Sequence, residues 1–418
     1  MVPIAAPTHS FCVHLPAAGN FKLKTNMRFV VKACSNNGSR ARRGTLYMGG
    51  VEVDTPCLLL ATRKGLPHFI TPDLLHSLHP NARAMEISPL HFWECPSPST
   101  VTAIGGVHGM LSMPEYGFIA IPRDSVMCIP NAEGSNKFGA SFETPYGHRM
   151  VKPVQYMENI CALKPNLWSS LPDEVPSWVS DKRNIISVDR TTRWLDDCLS
   201  MQPTGSESAA LGAVVGGTSL ELRERSASEV ASRNVAGFLL AGFGLGESIE
   251  DRPVLLDAIM RNLPEDKPRH ISGLGLPVEV LQGVAAGIDL FDSTYPYLLT
   301  MGGYAMTFPL NMEEKLFVSK ESNVELSDIG DDSAKINLRA TIYRNDASPI
   351  MQSCSCYTCQ KHTKAYINHL LNTHEMLAQT LLEIHNTHHY LQFFEAVRHA
   401  INVNNFNMFS SWFVKHRR

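Results

Sequence analysis

The sequence predicts an α/β protein built around a parallel β-sheet, and three observations point to this class. Short apolar segments alternate with segments of helical period between residues 166 and 291, which is typical of repeated strand–helix units. The last four apolar segments begin roughly 20–35 residues apart, the spacing of such units in α/β folds. Neither a dinucleotide-binding fingerprint nor a phosphate-binding loop occurs. The alternation alone fits an open doubly wound sheet as well as a closed barrel.

The predicted elements follow the chain in order. Thr45–Met48 and Val51–Val53 flank Gly49-Gly50, a two-residue turn that predicts a β-hairpin. Gly117–Ile121 is predicted to be a buried strand, and residues 129–150, rich in Gly, Asn and Pro, to be irregular. The alternating strands are predicted at Asn166–Ser169, Ala210–Val215, Gly237–Leu240, His270–Gly273 and Ile288–Phe291. The intervening helices are predicted at Arg183–Met201, Leu220–Asn234, Ile249–Leu263 and Val278–Ala286.

Composition excludes several classes of protein. The chain has 418 residues and a formal net charge of −3, so it is neither a strong polyanion nor a polycation. Its 10 cysteines are scattered apart from one cluster, a pattern that favours reduced thiols with one metal site over a secreted disulfide framework. No apolar run is long enough for a membrane-spanning helix, so no integral membrane segment is expected.

The chain divides into four predicted parts. Residues 1–43 form a basic extension without an acidic residue, which is interpreted as a plain extension, with an organellar transit peptide as the alternative. Residues 44–311 form the α/β body, and residues 312–345 a polar insertion. The insertion contains four carboxylates that are interpreted as solvated rather than cation-binding: Glu325, Asp328, Asp331 and Asp332. Residues 346–418 hold the cysteine cluster and the C-terminal helices.

The cysteine cluster predicts a zinc site. Cys354, Cys356 and Cys359 lie within six residues, and zinc is usually held by four thiolate or imidazole ligands. The fourth ligand should come from the helical segment downstream, which contains neither Gly nor Pro and has a capping signal at Asn372-x-x-Glu375. Spacing alone leaves three histidines open as that ligand: His385, His388 and His389.

These motifs resemble the zinc subdomain of the tRNA-guanine transglycosylases, enzymes that exchange a base in tRNA. The resemblance rests on Cys354-Ser-Cys-Tyr-Thr-Cys359, on Lys364-Ala-Tyr-Ile-Asn-His-Leu370 and on His385-Asn-Thr-His-His-Tyr390. It implies a (β/α)8 TIM barrel with an inserted or C-terminal zinc-binding helical subdomain. It also implies one Zn²⁺ per subunit, held by Cys354, Cys356, Cys359 and His385.

The same resemblance assigns roles to three aspartates. Asp292 matches the family's nucleophile, which attacks the ribose carbon as in retaining glycoside chemistry. Asp124 lies where the family has a general base, although Val126 and Met127 replace the two glycines of that turn. Asp173 matches the residue that reads the purine edge.

Departures from the family pattern favour a chain without catalysis of its own. Val215 stands where the family has a purine-binding Gln, and the loss of such a partner costs roughly 1–3 kcal/mol. The segment Pro296–Gly303 lacks the Arg and Asn residues with which catalytic members grip the anticodon loop. We therefore expect no catalytic residue here and regard Asp292, Asp124 and Asp173 as vestigial.

The resemblance then implies a non-catalytic accessory subunit within the family. Its partner would be the catalytic subunit of a queuine tRNA-ribosyltransferase heterodimer in the cytoplasm, with tRNA contacted through the complex. The heterodimer would exchange guanine for queuine at wobble position 34 of tRNAs with GUN anticodons. One alternative is an active transglycosylase that uses Asp292, and a second is a stand-alone RNA-binding scaffold.

The C-terminal aromatics predict a partner surface. Four of them crowd into a short Asn-rich terminus that could hardly bury them internally: Phe406, Phe409, Trp412 and Phe413. Aromatic side chains dominate many interfaces. The zinc subdomain and its trailing helices are therefore predicted to bind the partner.

Overall fold

A computed structural model describes residues 27–35, 38–124, 126–312 and 334–416. The first 26 residues and the four carboxylates of the polar insertion lie outside the described residues, so those two interpretations stay predictions. The strands are β1 (Arg28–Cys34), β2 (Arg42–Met48), β3 (Val51–Thr55), β4 (Cys57–Arg63), β5 (Leu66–Pro67), β6 (Ala84–Ile87), β7 (Gly117–Ala120), β8 (Ile129–Pro130), β9 (Ala140–Thr144), β10 (Gly147–Val151), β11 (Leu167–Ser169), β12 (Ala209–Val214), β13 (Gly237–Leu240), β14 (Arg269–Ile271), β15 (Leu290–Ser293), β16 (Tyr304–Met306) and β17 (Lys335–Asn337).

The helices surround these strands or follow them. They are α1 (Pro72–Leu78), α2 (Pro98–Ile104), α3 (Gly106–Leu111), α4 (Pro153–Leu163), α5 (Asp181–Met201), α6 (Leu220–Ala231), α7 (Arg252–Met260), α8 (Pro277–Ala286), α9 (Tyr295–Gly302), α10 (Tyr357–Lys361), α11 (Lys364–Asn372), α12 (Leu377–Asn402) and α13 (Phe406–His416). No helix in the described part of the chain is long and apolar enough to cross a bilayer.

Eight parallel strands form a closed barrel. They are hydrogen-bonded in the order β4, β6, β7, β11, β12, β13, β14, β15, and β15 pairs back onto β4. That closing pair sets Phe291 opposite Leu58 and Asp292 opposite Leu59. The (β/α)8 barrel is therefore confirmed, and the open doubly wound alternative is excluded.

The predicted barrel strands are confirmed, with differences at their ends. Gly237–Leu240 coincides with β13, whereas the strand predicted at Ile288–Phe291 begins and ends two residues later, at β15 (Leu290–Ser293). The shift matters because it places Asp292 inside the strand rather than just beyond it. Apolar character alone does not mark where backbone pairing begins, since Ile288 and Asp289 are buried outside the paired segment.

An antiparallel sheet of β1, β2 and β3 closes the N-terminal end of the barrel. The predicted hairpin is confirmed, with Met48 opposite Val51 across the Gly49-Gly50 turn. Four hairpin side chains complete the apolar core inside the barrel: Leu46, Met48, Val51 and Val53. Strand β1 pairs with β2, so residues assigned to the N-terminal extension share this sheet.

Much of the segment 129–150 forms regular strands, contrary to the expectation that it is irregular. They form β8, β9 and β10, an antiparallel sheet in which Gly147 pairs with Thr144 across a tight turn. The expectation was wrong because few of the side chains in this sheet are apolar and buried, chiefly Ala140, Phe142 and Val151. Without an alternating apolar pattern, the strands had no signal in the sequence.

The C-terminal helices pack on one another and on the barrel. Helix α11 ends at Asn372 and α12 begins at Leu377, so the predicted break is confirmed. The expectation that the last aromatics face a partner is wrong for Phe406, Phe409 and Phe413, which are buried. Phe413 packs against Phe308 and Phe393 with ring centroids 5.4 and 5.1 Å apart. The barrel's final loop supplies the apolar surface that the short terminus lacks.

Candidate functional site

A four-residue cluster lies beneath α12. The thiols of Cys354, Cys356 and Cys359 converge on the imidazole of His385, with Sγ–Nδ1 distances of 3.8, 3.6 and 3.4 Å. Tetrahedral zinc, with bonds of about 2.3 Å to sulfur and about 2.0–2.1 Å to nitrogen, sets these atoms about 3.6 Å apart. All four residues are buried. The cluster therefore has the donor set and the dimensions to hold a metal ion such as zinc.

Neighbouring groups orient the cluster. The other ring nitrogen of His385, Nε2, lies 2.8 Å from the carbonyl oxygen of Met306, so a proton there leaves Nδ1 free for a metal. The Thr358 hydroxyl donates to the Leu381 carbonyl at 2.6 Å and joins the cysteine loop to α12. The two alternative histidines are occupied elsewhere, His388 at the Leu78 carbonyl and His389 at the Phe308 carbonyl.

Asp292 lies at the C-terminal mouth of the barrel, where barrel enzymes place their reactive groups. Its carboxylate accepts a hydrogen bond from the Gly273 backbone N–H at 3.0 Å and is 7% exposed. Burial raises the pKa of Asp292 to about 7, against the lowering effect of the Arg123 guanidinium. Burial thus favours the protonated form of the Asp292 carboxyl, and a protonated carboxyl is a poor nucleophile.

Three neighbours of Asp292 were not identified from the sequence. Glu86 and His270 point into the barrel beside it, and Arg123 lies across the mouth, donating to the Phe243 carbonyl at 2.8 Å. Arg123 also pairs with buried Glu174 at 3.5 Å. These residues belong to strands and loops far apart in sequence, so no local motif joins them.

Asp173 is fully engaged in ion pairs. One carboxylate oxygen lies 2.7 Å from Arg183, and the other lies 2.8 Å from Arg183 and 3.1 Å from Arg190. Both arginines also bind backbone carbonyls of the segment before β9, at Ala132 and Ser135. Asp173 therefore holds the two α5 arginines that bind this segment, and both of its oxygens are engaged in buried ion pairs.

Asp124 is engaged as well. It lies 2.8 Å from Nε2 of His91 and accepts from the Val126 N–H at 2.8 Å. Nδ1 of His91 accepts a hydrogen bond from the Lys64 backbone N–H at 3.4 Å. Nε2 therefore carries the proton and donates a hydrogen bond to Asp124. Burial alone raises the pKa of Asp124, but the hydrogen bond from His91 holds it below the usual 3.8. Cys128 also lies beside Asp124 and His91. The Asp124 carboxylate does not need the thiol as a donor, because the His91 N–H already donates to it.

The position of the missing glutamine is filled by apolar and structural groups. Val215 is buried in the barrel interior, and its N–H donates to the Ser226 hydroxyl at 3.2 Å. Nearby, buried Arg223 donates to the carbonyls of Gly217, Ala241 and Gly242 and lies over the Phe243 ring. Since a valine side chain has no hydrogen-bonding group, this position offers nothing to a purine.

The protein is a (β/α)8 barrel with carboxylates at its C-terminal mouth, and a Cys3His cluster lies under its last helices. These features define a class of barrel proteins with a metal-binding subdomain. The family model described as Queuine tRNA-ribosyltransferase matches residues 35–418. This chain therefore belongs to the queuine tRNA-ribosyltransferase family, that of the tRNA-guanine transglycosylases. The family inferred from the sequence motifs is confirmed.

Similar proteins share one name. The chain is 36% identical over 380 residues to "Queuine tRNA-ribosyltransferase accessory subunit 2" of Homo sapiens, covering 84% of this chain and 90% of that protein. It is 33% identical over 395 residues to the Ixodes scapularis protein of the same name, covering 89% and 96%. A third protein of that name, from Drosophila persimilis, is 30% identical over 389 residues, covering 90% and 89%.

Proposed function

We propose that this chain is the non-catalytic accessory subunit of a queuine tRNA-ribosyltransferase. It pairs with a catalytic subunit, and the heterodimer exchanges guanine for queuine at position 34 of tRNAs with GUN anticodons. The names of its relatives support this role. The observation that carries the proposal is Asp173, whose two carboxylate oxygens are held by Arg183 and Arg190.

The other family positions support the same conclusion. Asp124 is bound to His91, and Val215 replaces an amide. Asp292 is the one carboxylate of the three without an ion pair at hydrogen-bonding distance in the described residues. The raised pKa of Asp292 disfavours it as a nucleophile. Because Asp124 and Asp173 are engaged in ion pairs and Val215 is apolar, none of these three positions presents a group that would hold a purine beside Asp292.

The metal of the Cys3His cluster is proposed to be one structural Zn²⁺ per chain. Cys354, Cys356, Cys359 and His385 would hold it, since three thiolates and one imidazole form a closed structural zinc set. The metal would fix the cysteine loop against α12. Structural zinc is worth roughly 10–16 kcal/mol in small peptides, so the subdomain's order would depend on it.

The partner surface is proposed to lie on the outer side of the zinc subdomain. His362 stacks on Tyr366 with ring centroids 5.3 Å apart, and Tyr357 meets His362 in a tilted contact at 5.7 Å. Tyr357 and Tyr366 are partly exposed, and Met376 at the start of α12 is 71% exposed. This apolar surface replaces the aromatics of α13 in the predicted interface.

Reconstitution tests the proposed role. We would purify this chain and the catalytic subunit, assay each for incorporation of labelled queuine into tRNA, and then assay the mixture. We expect co-purification and activity that requires the catalytic subunit, with this chain inactive alone. Exchange by this chain alone would establish an active enzyme instead, and failure to co-purify would favour the stand-alone RNA-binding scaffold.

A matched pair of variants tests Asp292. Asp292→Asn in this chain should leave the heterodimer's rate within a few-fold of wild type, because the nucleophile belongs to the partner. The corresponding aspartate-to-asparagine change in the catalytic subunit should abolish exchange. A hundredfold loss from Asp292→Asn, about 2.7 kcal/mol of barrier, would contradict the proposal.

The proposed location is the cytoplasm, with organellar targeting by the first residues as the alternative. The described cysteines are all free, which suits a reducing compartment. Imaging of the full chain and of a chain beginning at Met27, each with a C-terminal fluorescent tag, separates the two. Mitochondrial signal that depends on residues 1–26 would support targeting.

A further inference from the structure

A second cluster of ligand-type side chains lies inside the barrel, away from the Cys3His cluster. Glu86 on β6, His270 on β14 and Asp292 on β15 each present a potential ligand atom, and these atoms lie within 4.8 Å of one another. Glu86 Oε2 and His270 Nε2 are 3.9 Å apart. Side chains alternate along a barrel strand, and all three belong to the inward-facing set.

Three polar atoms of this cluster lack partners. Glu86 Oε2 and both ring nitrogens of His270 are buried without a hydrogen bond from any described residue. His270 is fully buried and Glu86 is 8% exposed. Each unsatisfied buried group costs about 1–3 kcal/mol, and such groups in a native protein point to a missing water or ion.

The local charge favours a cation. Glu86 interacts with the carboxylates of Asp292 and Asp124, and Asp292 also interacts with that of Glu174. The guanidinium of Arg123 acts on Glu86, Glu174 and Asp292. Carboxylates outnumber guanidinium groups here, so a bound cation would compensate negative charge that Arg123 alone does not. The guanidinium donates to the Phe243 carbonyl and pairs with Glu174, so it does not supply a hydrogen bond to Glu86 or Asp292.

We propose that Glu86, His270 and Asp292 bind a second metal ion, a divalent transition-metal cation such as Mn²⁺, at the C-terminal mouth of the barrel. Two carboxylate oxygens and one imidazole nitrogen suit Mn²⁺, Fe²⁺ or Zn²⁺, whereas Mg²⁺ and Ca²⁺ prefer oxygen ligands alone. The ion compensates the carboxylates of Glu86 and Asp292, and it takes up Glu86 Oε2 and one of the two unpartnered ring nitrogens of His270. In this site Asp292 is a metal ligand.

This proposal does not depend on the accessory role. All three proposed ligands belong to this chain, and the test of the site needs neither tRNA nor base exchange. An inactive chain without the second ion would leave the proposed function intact, and an active chain with the ion would leave this inference intact.

Metal counting on the full-length chain tests the site. The chain is purified under reducing conditions with zinc, incubated with Mn²⁺, separated from free metal and analysed for both elements. We expect one equivalent of zinc and one of manganese per chain. Loss of the electron paramagnetic resonance signal of free Mn²⁺ on titration with the chain provides an independent measure of binding.

Three variants identify the ligands. Glu86→Gln and His270→Gln should each lower the manganese to near zero while leaving the zinc unchanged. His108→Gln is the matched control, because His108 is also buried with both nitrogens unpartnered but lies outside the cluster. It should keep both metals. Circular dichroism checks that each variant is folded.

A measurement on the unaltered chain covers the case in which the variants misfold. Mn²⁺ should raise the melting temperature of the wild-type chain with saturation, since a ligand of the native state stabilises it by mass action, and Mg²⁺ at the same concentration should not. A single equivalent of zinc per chain, with no retained manganese and no Mn²⁺-specific shift, would overturn the proposal, whereas a second equivalent of zinc that is lost in Glu86→Gln and His270→Gln would support the site. Manganese retained in both cluster variants would overturn it as well.

Discussion

Phe413→Ala should destabilise the isolated chain by about 4 kcal/mol. Phe413 is 1% exposed on α13 and packs against the rings of Phe308 and Phe393, with Phe409 on the same helix 6.2 Å away. Truncation of a buried phenylalanine to alanine costs about 3–5 kcal/mol through lost transfer energy and the cavity left behind. The loss of aromatic contacts, about 0.5–1.5 kcal/mol per pair, places the expected value in the middle of that range.

Urea denaturation of the chain alone, followed by far-ultraviolet circular dichroism, measures this change. Met408→Ala on the same helix is the control, because Met408 is 58% exposed and surface changes usually stay within about 0.5 kcal/mol. If α13 instead served a partner surface, Phe413→Ala would leave the isolated chain unchanged and weaken only its association. A loss below about 1 kcal/mol in the chain alone would therefore refute the packing argument.

Three further predictions concern the metal cluster and the two engaged aspartates. Cys356→Ser should lose the zinc and the order of the segment from residue 346 to the start of α12, measured by elemental analysis and hydrogen exchange, whereas a variant with full zinc content would exclude this ligand set. Asp173→Asn should lower the free energy of unfolding by about 3 kcal/mol, because it leaves two arginines without their buried partner. Asp196→Asn, at an exposed pair with Arg233, should lower it by less than about 1 kcal/mol. Equal urea midpoints for the two variants would contradict this. The pKa of Asp124 is below 3.8 in the folded chain, so its contribution to stability is complete above that pH and is lost as the pH falls through the folded pKa. Asp124→Asn should therefore flatten the fall in urea midpoint between about pH 5 and pH 3, and an unchanged slope would argue against the His91 hydrogen bond as its cause.

The parts of the fold in which strand and helix patterns alternate regularly could be predicted from the sequence. The parts without that alternation could not. Strands β12 to β14 carry short apolar runs separated by helices, so a local pattern located them within a residue or two. Strands β1, β8 and β10 have mostly exposed or partly exposed side chains, and β9 has three buried residues in a row rather than an alternating pattern, so nothing in a window of ten residues distinguishes these strands from loops. Their stability comes from pairing with segments that the pattern does not reveal.

The two candidate sites differ in the same way. Three ligands of the Cys3His cluster lie within six residues, so their chemistry was evident from spacing, and the family motif indicated the fourth. The cluster of Glu86, His270 and Asp292 joins residues up to 206 positions apart, and only the closure of the barrel through β15 and β4 brings them together. A site formed by buried polar residues on separate strands can be recognised only when the register of those strands is known.

The three aspartates show why a retained residue type does not imply a retained role. A carboxylate that binds a substrate must have free oxygens, yet Asp173 gives both of its oxygens to arginines and Asp124 gives its oxygens to a histidine and a backbone N–H. Each of these contacts stabilises the ionised carboxylate and also occupies it. Asp292 has no such partner and accepts mainly one backbone N–H, so its buried charge is compensated by protonation or by a cation. A neutral or metal-bound carboxylate is a poor nucleophile in either case. The chemistry of this barrel mouth is thus decided by Arg123, Arg183, His91 and His270, the neighbours of the aspartates, rather than by the aspartates themselves.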